Sequence, residues 1–164
     1  VRCSPSPLMP HPPWLLPDLA DAAYMVEPVA RGTAPALAWA AWAALREDEQ
    51  AVMVSLHADH RVEPESAFTL LLEHAARIAA ETGHLHTVGV PPTRPETGYG
   101  YIQPAGEIAA SGDARARRVA AFHEKPDSET ALEYLSAGHL WNTGLFIWRA
   151  DRFLEEIRTH APEI

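Results

Sequence analysis

The sequence has 164 residues, enough for one domain, and 47% of them are hydrophobic, as is typical of a globular protein. A net charge of −9 argues against a protein that binds nucleic acid, although a small phosphorylated ligand needs only a few local donors or a metal. No apolar run approaches the ~20 residues of a membrane helix, and the N-terminus lacks a signal-peptide pattern. The single cysteine suits a reducing compartment, so we expect a cytoplasmic protein with no membrane partner.

Six prolines fall within residues 1–17. Because proline fixes φ and lacks a backbone N–H, this stretch is predicted to be extended or disordered rather than helical or part of a central strand. Ordered structure is expected to begin near Tyr24, and the folded domain is assigned to residues 18–164.

Short apolar runs alternate with helical patterns from residue 24 onward. Strands are predicted at 24–26, 51–56 and 84–90, and helices at 34–46 and 64–81. Gly83 is predicted to end the second helix in the left-handed conformation. Strand, helix and strand in succession are typical of βαβ units, so the sheet is expected to be largely parallel.

The second half of the chain has a less regular pattern. Strands are predicted at 99–103, 119–123 and 140–148, and helices at 128–136 and 151–160. Asp127 is predicted to cap the first of these helices.

Polar residues follow several predicted strands, where open parallel sheets bind their ligands. Asp59 comes directly after a buried strand and is well placed to hold a divalent cation against a phosphate, although aspartate also commonly caps a turn. His57 and His60 flank it and leave a zinc-dependent hydrolase as an alternative. In the metallo-β-lactamase-like hydrolases the pattern is His-x-His-x-Asp-His, and Ser55 stands in place of its first histidine.

Glu124 and Lys125 end another predicted strand. They offer an acceptor for hydroxyl groups beside a cation for phosphate, the two groups that a sugar phosphate presents. A surface ion pair before a helix is the alternative. Lys125 is the single lysine among 13 basic residues, which favours a position that requires a compact ammonium group.

Two further segments are candidates for ligand contacts. The glycines of residues 97–101 would let backbone N–H groups approach a ligand closely, or would simply form tight turns. Asn142 and Thr143 lie inside an apolar strand and need hydrogen-bond partners, which a polyhydroxyl ligand or neighbouring backbone would each supply.

Five motifs in order resemble those of the mannose-1-phosphate guanylyltransferases. They are EPVARGTAPA at 27–36, ADH at 58–60, PTRPETGYGYI at 92–102, FHEKPD at 122–127 and LWNTGLF at 140–146. The likeness extends over residues 15–164. It implies an α/β, Rossmann-like nucleotide-diphospho-sugar transferase fold with a mostly parallel sheet flanked by helices.

The resemblance also implies a transferase activity. A nucleotidyltransferase of this kind forms GDP-mannose and pyrophosphate from GTP and mannose 1-phosphate, with Mg²⁺ or Mn²⁺ as cofactor. Catalysis of this reaction rests on alignment and charge neutralisation, and nothing in the sequence suggests a protein nucleophile. A homo-oligomer is compatible with this interpretation.

Site residues are carried over from the resemblance by position. Asp59 would hold the metal, and Asp59 and Lys125 would be the catalytic residues, with Lys125 on the phosphate of the sugar. The nucleotide-binding residues would be Glu27, Pro28, Arg31, Thr33 and Ala34, and the sugar-binding residues Tyr99, Gly100, Glu124, Asn142 and Thr143.

The sequence also departs from the family pattern. The glycine-rich nucleotide loop of the family, GGxGTRLWPLSR, has no counterpart here, and a further metal-binding aspartate of the family lies downstream of residue 164. Residues 55–57 differ from the usual apolar residues and proline before Ala58. We therefore expect an incomplete, internal fragment, and a relic that binds a sugar nucleotide or a protein partner without turnover is the alternative function.

Overall fold

The computed structural model describes residues 2–4, 24–57 and 59–164. The strands are β1 (Arg2–Ser4), β2 (Tyr24–Val26), β3 (Val52–Ser55), β4 (His86–Val90), β5 (Gly100–Ser111), β6 (Ala114–Glu124) and β7 (Leu140–Arg149). The helices are α1 (Thr33–Leu45), α2 (Glu65–Thr82), α3 (Ser128–Ser136) and α4 (Ala150–His160). Of the predictions for residues 1–17, only those for 2–4 fall within the described residues, and these three are extended.

Strand β7 lies at the centre of a five-stranded sheet and pairs with β3, β4 and β5. β3 and β4 pair with opposite edges of β7, since Ile147 is the partner of both Val54 and His86. β5 pairs with the beginning of β7, on the edge that β3 occupies further along, and β6 pairs with β5. β1 and β2 form a separate two-stranded parallel sheet.

The α/β class, with helices packed on a sheet, is confirmed, but the prediction of a largely parallel sheet is wrong for the described strands. Every pairing in the five-stranded sheet is antiparallel. β3 and β4 do run in the same direction, as a βαβ unit requires. They are not hydrogen-bonded to each other, because β7 lies between them and runs the opposite way.

Local signals for the helix ends are confirmed. Gly83 has a φ of 65° at the C-terminus of α2, where a residue without a Cβ adopts the left-handed conformation most easily. The Asp127 side chain accepts a hydrogen bond of 2.8 Å from the Thr130 N–H at the start of α3. Among the described residues, no helix combines the length and the apolar character needed to cross a bilayer.

Two apolar clusters fasten the helices to the two ends of β7. At its C-terminal end the Trp148 ring stacks on Phe153 of α4 at 4.4 Å between centroids, and Ala41 of α1 packs beside them. At its N-terminal end, Trp141 and Tyr101 pack against Ala131 of α3. The second cluster lies beneath the strand ends that carry the predicted site.

The β5–β6 hairpin is longer than predicted. Its strands extend over Gly100–Ser111 and Ala114–Glu124, whereas strands were expected only at 99–103 and 119–123. The intervening residues are rich in alanine and glycine, which have low strand propensity. Pairing between the two strands, with several register shifts, forms the hairpin despite this composition.

Candidate functional site

Three of the predicted sugar-binding residues lie in one row across the sheet. Gly100 of β5 is opposite Glu124 of β6, and Gly89 of β4 is opposite Asn142 of β7. The antiparallel register between β5 and β7 places Gly100 beside Asn142. Opposed residues project from the same face, and neighbouring strands are about 4.8 Å apart. The Asn142 and Glu124 side chains therefore share a face, two strands from each other.

Gly100 is buried beneath two side chains of β6. A Cβ at this position would lie 2.6 Å from Phe122 Cζ and 2.8 Å from Glu124 Oε2. Glycine is thus required at this position because the Phe122 and Glu124 side chains occupy the space that a Cβ would need. Phe122 also lies on this face, where its ring is half exposed beside Glu124. The sequence patterns that predict the site do not single out Phe122.

Lys125 and Glu124 project to the same side although they are consecutive. Lys125 has a left-handed φ of 46°, and its Nζ lies 3.0 Å from Glu124 Oε1. Its N–H donates to the Tyr99 carbonyl at 3.2 Å. Consecutive strand residues normally point to opposite faces, so this backbone turn brings the ammonium back beside the carboxylate. A left-handed φ is uncommon outside glycine, and such conformations concentrate at functional sites.

Asn142 is held in a defined orientation. Its Oδ1 accepts hydrogen bonds from Thr87 Oγ1 at 2.8 Å and from the Gly144 N–H at 3.3 Å. Because a backbone N–H can only donate, the amide oxygen is identified without ambiguity. Its Nδ2 has no partner among the described residues and is free to donate to a ligand.

The Thr143 hydroxyl is occupied by the backbone. It donates to the Val88 carbonyl at 2.7 Å and accepts from the Leu145 N–H at 3.2 Å. Of the two alternatives for this buried hydroxyl, neighbouring backbone is the one observed. A contact from Thr143 to the sugar stays a prediction.

Asp59 lies exposed in the turn after β3. Beside it is an open cavity of about 440 Å³ whose lining includes Leu56, His57, His60, Phe68 and Leu145. The His57 and His60 rings are 4.8 Å apart. In the described part of the chain, no three His, Cys, Asp or Glu side chains come together as a metal-binding group, so the zinc hydrolase alternative lacks its ligand set. A single carboxylate fits Mg²⁺, which is commonly held by one or two carboxylates together with substrate phosphates.

The predicted nucleotide-binding residues form a separate segment. Glu27 and Pro28 follow β2, Arg31 is exposed, and Thr33 and Ala34 begin α1. α1 packs against α4 and β3, so the segment is attached to the same sheet from the β3 side. Within the described residues it makes no hydrogen bond or ion pair with Asn142, Gly100 or Glu124.

The loop before β5 is anchored on an aromatic side chain. The Tyr99 ring meets Trp141 edge-on at 5.3 Å, and the Arg94 guanidinium lies 5.5 Å from the Trp141 ring centre. Glu96 accepts from the Gly98 N–H and pairs with Arg94 at 2.9 Å. The hydrogen bond from the Gly98 N–H is the largest cause that lowers the pKa of Glu96, and the hydrogen bond from Arg94 is the next. These contacts hold the Tyr99 ring on Trp141, and it is the Tyr99 carbonyl, which accepts from the Lys125 N–H, that lies next to Lys125.

Residues 17–164 match the family model described as nucleotidyl transferase. The chain belongs to the nucleotidyl transferase family. Among curated relatives of the family, the alginate biosynthesis protein AlgA of Pseudomonas aeruginosa is 43% identical over 152 residues, covering 90% of this chain and 30% of the relative. The mannose-1-phosphate guanylyltransferase of Escherichia coli is 44% identical over 143 residues, covering 85% of this chain and 30% of the relative.

Two solved structures share the fold of this chain. A mannose-1-phosphate geranyltransferase from Thermus thermophilus superposes with a TM-score of 0.77 at 34% identity, over 89% of this chain and 42% of that protein. A mannose-6-phosphate isomerase from Helicobacter pylori superposes with a TM-score of 0.70 at 31% identity, over 86% of this chain and 50% of that protein. The resemblance to mannose-1-phosphate guanylyltransferases is thereby confirmed, and this nucleotidyl transferase chain spans about 30% of the length of those curated relatives.

Proposed function

We propose that the protein represented by this chain transfers a guanylyl group from GTP to mannose 1-phosphate, forming GDP-mannose and pyrophosphate. A phosphate oxygen of the sugar phosphate attacks the α-phosphorus of GTP, the bond from that phosphorus to the bridging oxygen of the β-phosphate breaks, and pyrophosphate leaves. The observation that carries the proposal is the arrangement of Glu124, Lys125 and Asn142. A carboxylate, an ammonium group and a free amide face one side of the sheet, in a family whose relatives include mannose-1-phosphate guanylyltransferases.

The sugar phosphate is assigned to this row. The Glu124 carboxylate accepts from sugar hydroxyls, Asn142 Nδ2 donates to one, and the Gly100 backbone lies between them. Lys125 Nζ binds the phosphate, exchanging part of its ion pair with Glu124 for a charge-assisted hydrogen bond. Tyr99 borders this position through its carbonyl contact with Lys125.

Two phosphate groups must approach each other in this reaction, so neutralising their charge is the main catalytic requirement. Asp59 would hold Mg²⁺ or Mn²⁺, which would supply positive charge to offset the repulsion between the phosphates. Lys125, beside Glu124 in the row, supplies a further positive charge. Asp59 is exposed in the turn after β3 and accessible to such an ion.

The guanine and ribose are assigned to Glu27, Pro28, Arg31, Thr33 and Ala34. Gly32, the residue before α1, has no side chain to cap the helix, so it offers no side-chain acceptor to the N–H groups of Thr33 and Ala34. N–H groups at a helix start suit a polar or anionic ligand. The cytoplasm is the proposed location, because the single cysteine suits a reducing compartment.

Isothermal titration of the folded chain with GDP-mannose tests the proposal. Binding that strengthens with Mg²⁺ and weakens on Lys125→Met substitution is the expected result, with UDP-glucose as the ligand control. A folded sample that takes up no GDP-mannose would refute the assignment of the sugar-phosphate site to this chain. Adding pyrophosphate to the complex with GDP-mannose then tests for the reverse reaction. An active enzyme would release GTP, whereas a relic that only binds the sugar nucleotide would not.

A further inference from the structure

Gly144 has an unusual position among the glycines of the described residues. Its φ of 70° lies in the left-handed region, yet it is inside strand β7 rather than at a turn or a helix end. Between the pairs Thr87–Phe146 and Gly89–Asn142, β7 contains more residues than β4, and Gly144 lies in the resulting bulge. Bulges of this kind redirect side chains, often beside an active site.

The imidazole of His57 is packed on Gly144. A Cβ at position 144 would lie 2.5 Å from His57 Nε2 and 3.3 Å from its Cδ2. No L-residue with a side chain can occupy this position unless the ring moves. His57 belongs to the segment after β3, two residues before Asp59, so the contact connects that segment directly to β7.

Gly144 is also connected to the sugar side of the site. Its N–H donates to Asn142 Oδ1, the acceptor that orients the free Nδ2 of the amide. The hydroxyls of Thr87 and Thr143 tie the same bulge to β4. One glycine therefore contacts both the segment that carries the proposed metal ligand and the residue that carries the proposed sugar donor.

We propose that His57 is a positioning residue, whose ring rests on Gly144 and so sets the distance between Asp59 and Asn142. This inference rests on the proposed function for the roles of those two residues. The contact uses the shape of a flat ring and needs no proton transfer. If the His57 ring sets this distance, metal binding and sugar-nucleotide binding strengthen each other only while the ring is packed on Gly144.

Limited digestion with trypsin tests the packing without any ligand. Arg61 is exposed and lies in the same segment, so its cleavage rate reports how often the segment opens. We expect cleavage after Arg61 to be about tenfold faster in His57→Ala and in Gly144→Ala. His57→Phe, which keeps a flat ring, should restore the wild-type rate, and His160→Ala, which removes an exposed histidine at the end of α4, should not change it. Equal rates in wild type and His57→Ala would overturn the packing role.

Titration with GDP-mannose, with and without Mg²⁺, tests the coupling. Coupled ligands typically change each other's affinity by about 5- to 150-fold, and the gain from Mg²⁺ should fall to less than about threefold in His57→Ala. Affinity without Mg²⁺ should be unchanged, and His57→Phe should recover the gain. A full Mg²⁺ gain in His57→Ala, or no recovery in His57→Phe, would overturn the inference. Wild type that binds no GDP-mannose would refute the proposed function instead, while digestion would still decide the packing.

Discussion

The hydroxyl of Thr87 donates a hydrogen bond of 2.8 Å to Asn142 Oδ1, across two neighbouring antiparallel strands. The same hydroxyl lies 3.1 Å from the Leu145 carbonyl. Thr87 thus connects both ends of the β7 bulge to β4. It acts on the candidate site through Asn142, without lying in the row of proposed ligand-binding residues.

Thr87→Val should lower both stability and ligand affinity. The substitution keeps the shape of the side chain but leaves Asn142 Oδ1 and the Leu145 carbonyl without this donor, at a cost of about 1–2 kcal/mol in the free energy of unfolding. Denaturant titration measures that loss. Thr69→Val is the matched control, because the Thr69 hydroxyl bonds to the Glu65 carbonyl on the exposed side of α2. Equal stability losses in the two variants would contradict a special role for Thr87.

Lys125→Gly should separate stability from binding. Glycine adopts the left-handed φ of this position without the penalty of a Cβ, so the free energy of unfolding should stay level or rise by up to about 1 kcal/mol. Loss of a charged hydrogen-bond partner worth about 1.5–3 kcal/mol should weaken mannose 1-phosphate binding by about 10- to 100-fold. Arg117→Gly, on the strand that precedes Lys125, is the control, and it should destabilise the protein and spare binding. Denaturation and calorimetry give the two quantities.

Gly100→Ala should disrupt the row. The added Cβ would be within 2.8 Å of both Phe122 and Glu124, and overpacking of this kind costs about 1–3 kcal/mol. Gly106→Ala on the same strand has no heavy atom within 4 Å of the new Cβ and should be tolerated. Thermal denaturation measures both variants. If Phe122→Ala does not recover part of the loss in the Gly100→Ala background, the clash with the ring is not its cause.

Stability should fall as the pH falls below about 6.5, the ordinary pKa of histidine. Burial, followed by the neighbouring His123, lowers the pKa of His139, and burial followed by His84 lowers that of His86. The unfolded chain therefore binds protons first, and stability present above pH 6.5 is lost progressively as the pH drops towards the folded-state values.

His139→Phe tests this pH dependence. The new ring would keep the stacking on Tyr134, which His139 makes at 4.5 Å, and would remove a buried Nδ1 for which no hydrogen-bond partner is found in the described residues. The decline in unfolding free energy between pH 7 and pH 5 should be shallower than in wild type. Identical slopes in denaturant titrations would assign the pH dependence to other groups.

Sequence patterns predict the parts of this fold that depend on near neighbours. The ends of α2 and α3 follow from Gly83 and Asp127, whose chemistry acts within a few residues. The position of β7 between β3 and β4 depends on pairings across more than fifty residues, and no local pattern records it. The strands beyond 99–103 and 119–123 were missed for a related reason, because their composition is poor in residues that favour strands.

The candidate site likewise combines features that local sequence predicts with features that depend on long-range pairing. Motif resemblance names Glu124, Lys125 and Asn142. The register places Glu124 and Asn142 on one side of the sheet, and the left-handed φ of Lys125 brings its ammonium group beside Glu124. The contact between His57 and Gly144 has no signature in either segment, since it depends on a bend inside a strand. The roles of the named residues toward nucleotide, sugar and metal stay predictions for the experiments above.

Between the pairs Thr87–Phe146 and Gly89–Asn142, β7 has more residues than β4, and this affects which substitutions the protein can accept. The surplus residues of β7 lie between the apolar cluster at Trp148 and the amide of Asn142. They are held by the bond from Thr143 to the Val88 carbonyl and by the bond from the Gly144 N–H to Asn142, so a shift of β7 that follows a substitution in the cluster is passed on to Asn142. The interior around Trp148 and the geometry of the proposed chemistry are therefore expected to change together in sequence.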